Sequence, residues 1–169
     1  VGLMPNENVV HTVNGYYNPT LETQTGKWVT FLLENFSLNS THLIQLIRRD
    51  ENGQLSIEST NLLGTDSDLS HWVSPEEINQ FPLLMPGGRV GVQHAFSKPG
   101  DYFLISNASK EVLGDLAPTL SNVPSGNGST YLGFNDGFQI TPSQVLATVH
   151  VSGNEISEVP PQPKPWHSL

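Results

Sequence analysis

The sequence predicts an all-β Greek-key β-sandwich, and three observations carry the prediction. Charged residues make up only 14% of the 169 positions, too few for the helix bundles and coiled coils that are built from Ala, Glu, Lys and Leu. Ser, Thr, Asn, Gly and Pro take their place, with 15 Gly and 13 Pro, a composition suited to many short strands joined by turns. Apolar residues recur with a period of two far more often than 3.6, which is the strand pattern. A domain of this size buries roughly 70% of the surface its unfolded chain exposes and so needs neither metal nor disulfide to fold.

The elements follow in order. Lys27 to Asn35 (K-W-V-T-F-L-L-E-N) is nearly continuous and rich in strand formers. Leu43 to Arg49 is a second run, ending at Asp50-Glu51-Asn52-Gly53, where Asn-Gly suits a tight hairpin turn. Gln54 to Glu58 is the return strand. Ser74-Pro75-Glu76-Glu77 has Ser at an N-cap, Pro in the first turn and Glu three after the cap, and predicts a helical turn or two stopped by Pro82. Arg89 to Phe96 alternates, with Val90, Val92, His94 and Phe96 on one face. Lys98-Pro99-Gly100 is a turn, and Asp101 to Ser106 runs back from it. One or two short strands are expected around Thr130 to Phe134, inside the Gly/Ser/Asn/Pro-rich stretch 107–140. Gln144 to Val151 alternates again, with Val145, Ala147, Val149 and Val151 on one face. These spacings predict about seven or eight strands, a Greek-key count. The sandwich is expected over residues 1–157. Residues 158–169, with Pro160, Pro161, Pro163 and Pro165, read as a semi-rigid, Pro-rich linker or tail.

Charge removes several classes of function. Seven Lys and Arg stand against 16 Asp and Glu, a net charge of −9, whereas phosphate neutralisation needs a basic patch. Nucleic acids and anionic membrane surfaces are therefore not expected partners. No stretch approaches the roughly 18 apolar residues of a membrane span, and no signal peptide opens the chain. Cysteine is absent, which excludes disulfides, thiolate nucleophiles, zinc ribbons and any copper–thiolate site.

No reaction is written in the remaining motifs. The six histidines, His11, His42, His71, His94, His150 and His167, form neither His-x-His nor His-Glu-x-x-His. His94 is expected to pack or hydrogen-bond on an inward face, and His150, which alternates away from the Val face, to be exposed or to face a partner. Asp66-Ser67-Asp68-Leu69-Ser70 with Glu77 copies calcium-loop oxygen positions, but His71 stands where the loop needs Gly. No G-x-S-x-G, dinucleotide fingerprint or phosphate loop occurs. Sequons fall at Asn35, Asn39, Asn107 and Asn127. No catalytic, cofactor-binding or metal residue is assigned.

Four segments in order carry a resemblance. The first is His11-Thr12-Val13-Asn14-Gly15-Tyr16-Tyr17-Asn18-Pro19, followed by Gly26 and then Asn35-Phe36-Ser37. The second is Thr41-His42-Leu43 to Ile47. The third is Leu84-Met85-Pro86-Gly87-Gly88-Arg89 to Phe96, and the fourth Lys98-Pro99-Gly100-Asp101-Tyr102-Phe103-Leu104. Together, over roughly residues 9 to 155, they resemble the second, middle cupredoxin-like domain of three-domain, laccase-like multicopper oxidases. Leu32 or Leu33 stands where that family has Arg, and Gly91 where it has Asp. The copper ligands of the family are paired His-x-His and His-Cys-His motifs, so no ligand is carried over.

The resemblance implies a copper-free structural spacer that positions copper-bearing neighbour domains of an oxidoreductase. It implies copper in the parent protein, no cofactor and no activity in this chain alone, neighbouring cupredoxin domains as partners, and an extracytoplasmic (periplasmic or secreted) location. Trp28 is then expected in the core and Trp166 at a docking surface. Apolar interface candidates are Val1, Leu3, Met4, Val112, Leu113, Leu116, Leu120 and Val159. Their exposure would favour self-association of the isolated domain, which the net charge of −9 opposes at low salt. A second reading is an extracytoplasmic adhesion or carbohydrate-binding sandwich, marked by Asp66, Asp68 and Trp72.

Overall fold

The computed structural model describes residues 12–37, 40–66, 75–106, 139–140 and 144–163. Among them the chain forms strands β1 (Thr20–Gln24), β2 (Trp28–Glu34), β3 (Ser40–Thr41), β4 (Ile44–Arg49), β5 (Leu55–Glu58), β6 (Thr60–Thr65), β7 (Glu76–Ile78), β8 (Arg89–Ala95), β9 (Gly100–Ser106), β10 (Gln139–Ile140) and β11 (Gln144–Ser152). They build a five-stranded sheet ordered β1-β11-β9-β4-β5, a four-stranded sheet ordered β2-β8-β6-β7 and a short β3–β10 pair. The chain leaves the five-stranded sheet between β1 and β2 and again between β5 and β6, and returns to it between β2 and β4 and between β8 and β9, as in the Greek-key sandwich that the strand spacing predicts. Pairing is antiparallel except for β1 with β11 and β3 with β10, which are parallel.

The core lies between the two sheets. Phe31, Leu62, Val90, Val92 and Phe96 come from the four-stranded side and Ile44, Leu46, Tyr102, Leu104, Val149 and Val151 from the other. Phe96 and Tyr102, on either side of the β8–β9 turn, meet edge to face with centroids 4.7 Å apart, a geometry favoured by the ring quadrupoles. The Tyr102 hydroxyl donates to the Lys98 carbonyl at 2.9 Å, so a polar tip is satisfied inside an apolar environment. A second cluster, Ile47, Phe103 and Ile105 with Leu55, Ile57 and Val145 packed against it, belongs to the opposite face of the five-stranded sheet.

Two of the resembling segments are tied together here. The Asn35 amide donates to the Gly88 carbonyl at 3.0 Å, and Gly87 N–H donates back to the Asn35 carbonyl at 2.7 Å. Asn35 Nδ2 donates to the Leu84 carbonyl at 3.1 Å, while its Oδ1 accepts from Ser37 N–H at 3.0 Å and Ser37 Oγ at 2.6 Å. The Asn-x-Ser corner thus grips the Pro86-Gly87-Gly88 turn, where Gly87 sits at φ +76°, a conformation that favours glycine. Asn35 is buried and its Nδ2 is engaged.

Several expectations change on contact with the structure. The Ser74-Pro75-Glu76-Glu77 cap signature does not start a helix at Glu76: Glu76–Ile78 is β7, pairing with Thr60 to Leu62 of β6. A cap without an amphipathic run behind it has no face to bury, and tertiary pairing decides the local conformation. The Asp50–Gly53 hairpin is present, but only Gly53 has positive φ (+80°). Asp50 Oδ1 organises the turn, accepting from Asn52 N–H at 2.9 Å and Gln54 N–H at 2.7 Å. In β11 a bulge between Val145 and Ala147 shifts the register, so Val145 joins the second cluster while Leu146, Ala147, Val149 and Val151 line the main core. One extra residue reverses which face the strand's start presents. Trp28 is half-buried, outside the main core. The short strands expected around Thr130 to Phe134 lie outside the described residues.

Candidate interaction surface

Strands β1 and β2 are edges: β1 pairs only with β11 and β2 only with β8 among the described residues. Residues of both line a groove of about 920 Å³ whose deeper wall is core, with Phe31, Ile44, Leu84, Leu104 and Leu146. Its open rim carries exposed apolar residues, Leu32 (73% exposed), Phe36 (84%), Tyr16 (70%) and Leu21. They stand beside the exposed polar Thr12, Asn14, Thr30 and Glu34. Fully burying a Leu or Phe side chain is worth about 1.5–3 kcal/mol, so this cluster holds unspent hydrophobic free energy. Clustered exposed apolar residues of this kind mark interaction sites, whereas single ones need no explanation.

The sequence placed the docking residues elsewhere. Of its interface candidates only Val159 is described, and it is half-buried; the others lie outside the described residues. The missed signal is in β2 itself. Phe31 and Leu33 alternate inward, so Thr30, Leu32 and Glu34 face outward, and Leu32 is the apolar residue in that polar row. It lies over Gly91 in the paired strand, where an added Cβ would come within 3.3 Å of Leu32 Cδ2.

The five-stranded sheet carries a polar row on its outer side. Glu22 of β1 is in register with His150 of β11, His150 with Asp101 of β9, and Asp101 with Arg49 of β4. His150 Nδ1–H donates to Asp101 Oδ1 at 2.8 Å, and Arg49 Nη2 donates to Asp101 Oδ2 at 3.2 Å. The His150 hydrogen bond, helped by Arg49, holds the Asp101 carboxyl below its usual range against some desolvation. The same bond, followed by the charge of Glu22, raises the imidazole of His150 above its usual value. Arg49 also lies 5.2 Å over the Phe103 ring, within cation–π reach.

His94 behaves in the opposite sense. Its Nδ1–H donates to the Ser59 carbonyl at 2.9 Å, and its ring meets Phe96 edge-on at 4.7 Å. Burial lowers its pKa, partly offset by the Ser59 bond and Glu58. Next to it Tyr102 is pushed up to about 12, chiefly by burial. His42 Nδ1 lies 2.9 Å from Ser106 Oγ. Both residues are buried and Ser106 is 0% exposed, so the hydroxyl presents nothing to a substrate. This is a satisfied buried polar pair.

The described histidines, His42, His94 and His150, are not brought together. His94 lies on β8, His150 on β11 and His42 at an isolated bridge to Leu84; each has Nδ1 on a different protein partner, and the sequence has no Cys to supply a thiolate. His11, His71 and His167 lie outside the described residues, as do Asp68 and Trp72. Asp66 is described: its Oδ1 accepts from Arg89 N–H at 2.9 Å and its φ is +47°, which makes it a turn residue beside β8. Among the described residues no group of three or more His, Cys, Asp or Glu is placed to hold a metal ion, and no helix is long and apolar enough to cross a membrane.

No protein-family model and no curated protein matches the sequence. Solved structures do match. One is the laccase-like multicopper oxidase CueO from the lignin-degrading bacterium Ochrobactrum sp., at 15% identity and a TM-score of 0.52, covering 89% of this chain and 25% of that one. Another is the McoA multicopper oxidase of the hyperthermophile Aquifex aeolicus, at 17% identity and a TM-score of 0.53, covering 89% of this chain and 28% of that one. The fold is therefore an all-β, cupredoxin-like sandwich of the kind found within multicopper oxidases, and this chain spans about a quarter of those proteins.

Proposed function

We propose that this chain is a copper-free spacer domain of a multicopper oxidase, the middle of three cupredoxin-like domains. It holds copper-bearing neighbours at a fixed distance and angle. In this reading residues 1–157 form the domain and 158–169 lead towards the next one. Copper and the oxidation chemistry belong to the parent protein, which works outside the cytoplasm, in the periplasm or as a secreted enzyme. The observation that carries the proposal is the set of exposed apolar residues Leu32, Phe36 and Tyr16 on a sandwich with no thiolate ligand. A redox domain needs ligands; a spacer needs surfaces for its neighbours, and this one offers them at the open seam between β1 and β2.

Copper loading followed by mild chelation and metal analysis tests the reading. The expected result is no stoichiometric copper and no oxidation of phenols or metal ions by the isolated chain. One copper retained per chain overturns it. The same reading expects the parent reading frame to continue on both sides into His-x-His and His-Cys-His motifs, and a frame without them rejects the assignment.

A further inference from the structure

The outer row of β2 begins with Trp28 and Thr30, and the paired positions on β8 are Ala95 and Gln93. The chain returns to this place after β11. Ile156 N–H donates to the Ser97 carbonyl at 2.8 Å. Trp28 Nε1–H donates to the Pro160 carbonyl at 2.9 Å. Gln162 Nε2 donates to Gln93 Oε1 at 2.9 Å, and Gln93 Nε2 in turn donates to Thr30 Oγ1 at 2.9 Å. Ile156 and Pro160 also lie over Gly26, where an added Cβ would stand 3.5 Å from Ile156 Cδ1 and 3.9 Å from Pro160 Cγ. Gln93 is buried although it belongs to the outward row.

We infer that this face of β2 and β8 is a recognition site for the chain's own Pro-rich segment Glu158–Pro163, which it holds as a strap. The chemistry is that of polyproline recognition. Pro160, Pro161 and Pro163 have no N–H, so carbonyl oxygens are the polar handles they offer, and an indole N–H beside an apolar surface is suited to take one. Their fixed φ lowers the entropy lost on docking, so a few weak contacts suffice to hold the segment. Trp28 supplies the donor, Gly26 leaves room for Pro160 beside it, and Gln93, oriented by Thr30, holds the Gln162 side chain. The strap stands on these contacts alone. Its consequence, that a following domain starts from a fixed direction and not from a free hinge, rests on the spacer reading.

The test uses the full chain and a glutamate-specific protease that cuts after Glu158, with cleavage timed by mass spectrometry under native conditions. Trp28→Phe removes the donor and keeps an aromatic ring. The double variant Pro160→Gly/Pro161→Gly changes only the tail, and so decides the matter even where Trp28→Phe fails to fold. Cleavage is expected at least about ten-fold faster in both variants than in the parent chain, because opening controls access of the protease. Far-UV circular dichroism should be unchanged in the tail variant. Equal rates in the parent chain, the tail variant and a synthetic peptide of residues 154–163 overturn the strap. Protection that disappears on dilution, together with a dimer in sedimentation, also overturns it, by assigning the face to the tail of a second copy. Copper retention in the loading experiment rejects the spacer reading and leaves this result untouched.

Discussion

The two ends of strand β2 present the same kind of outward row and meet different fates. At the Trp28 end the chain's own tail lies across the strand, and the indole N–H and the amide of Gln93 are both engaged. At the Leu32 end nothing described crosses the strand, and Leu32 and Phe36 stand open beside the groove. The covered end is polar and satisfied by short-range hydrogen bonds. The bare end is apolar and gains only from burial in something larger. A surface that the chain covers with its own tail therefore lies a few residues from one that it leaves exposed.

The largest expected effect separates inward from outward residues in the middle of β2. Phe31→Ala is expected to cost about 3–5 kcal/mol, the cavity cost of a buried aromatic. Leu32→Ala next to it is expected to change stability by no more than about 0.5 kcal/mol, as for exposed sites. Urea denaturation of both variants measures the contrast, and a Leu32→Ala cost near that of Phe31→Ala would break it. The next effect concerns association. Leu32→Ser with Phe36→Ser is expected to reduce self-association at high ionic strength, where the net charge of −9 is screened, whereas Trp28→Phe should leave it unchanged. Sedimentation velocity in low and high salt reads both.

The third effect is pH dependence. The tethers of the tail are uncharged side chains, so its protease protection should be flat between about pH 5 and 8, within which His is the side chain that ordinarily titrates. The β1 side should not be flat. The folded pKa of His150 is raised, so its contribution is complete below the unfolded value of about 6.5 and is lost as pH rises through the folded value. Asp101 and His94 are lowered. Their contributions are present above their unfolded values and fade as pH falls through the folded ones, so the two histidines pull in opposite directions. Histidine titration by NMR should place His150 above and His94 below the ordinary value. Asp101→Asn should bring His150 down and leave His94 in place. The smallest effect is at the root of the tail, where Lys98 Nζ and Glu155 Oε1 are 3.2 Å apart on the surface. Lys98→Ala is expected to cost less than about 1 kcal/mol in thermal unfolding.

What the sequence reveals depends on whether the deciding neighbour is local. β8 and β9 are legible because alternation and a Pro-Gly turn sit in one short stretch, and Gly100 takes φ +125°. β1 is not legible: T-L-E-T-Q holds one apolar residue, and its strand character comes from pairing with β11 at the far end of the chain. β6 carries no alternation to mark it and β7 falls where the residues read as a helical turn; each is defined by its neighbours in the sheet. The bulge in β11 likewise leaves no mark on the alternating V-L-A-T-V-H-V. The row Glu22, His150, Asp101 and Arg49 comes from four strands, so register alone creates it. The exposed seam was half legible, since Leu32 could be read as outward from its neighbours, but the outward turn of Tyr16 and Phe36 could not.

The parallel pairing of β1 with β11 has a kinetic meaning. Asn18 Oδ1 accepts from Thr148 Oγ1 at 3.0 Å across 130 residues of sequence. Closing a loop of that length costs entropy before any contact rewards it, and such long-range pairings form slowly. The hairpin of β4 and β5 and the β8–β9 turn close far shorter loops. β1 therefore joins late, after the rest of the five-stranded sheet has formed. During synthesis its residues leave the ribosome well ahead of those of β11 and must wait for that strand before they find their partner. One wall of the seam is thus the last part of this fold to be built, and the nascent chain carries Leu21 without its partner Val149 until then.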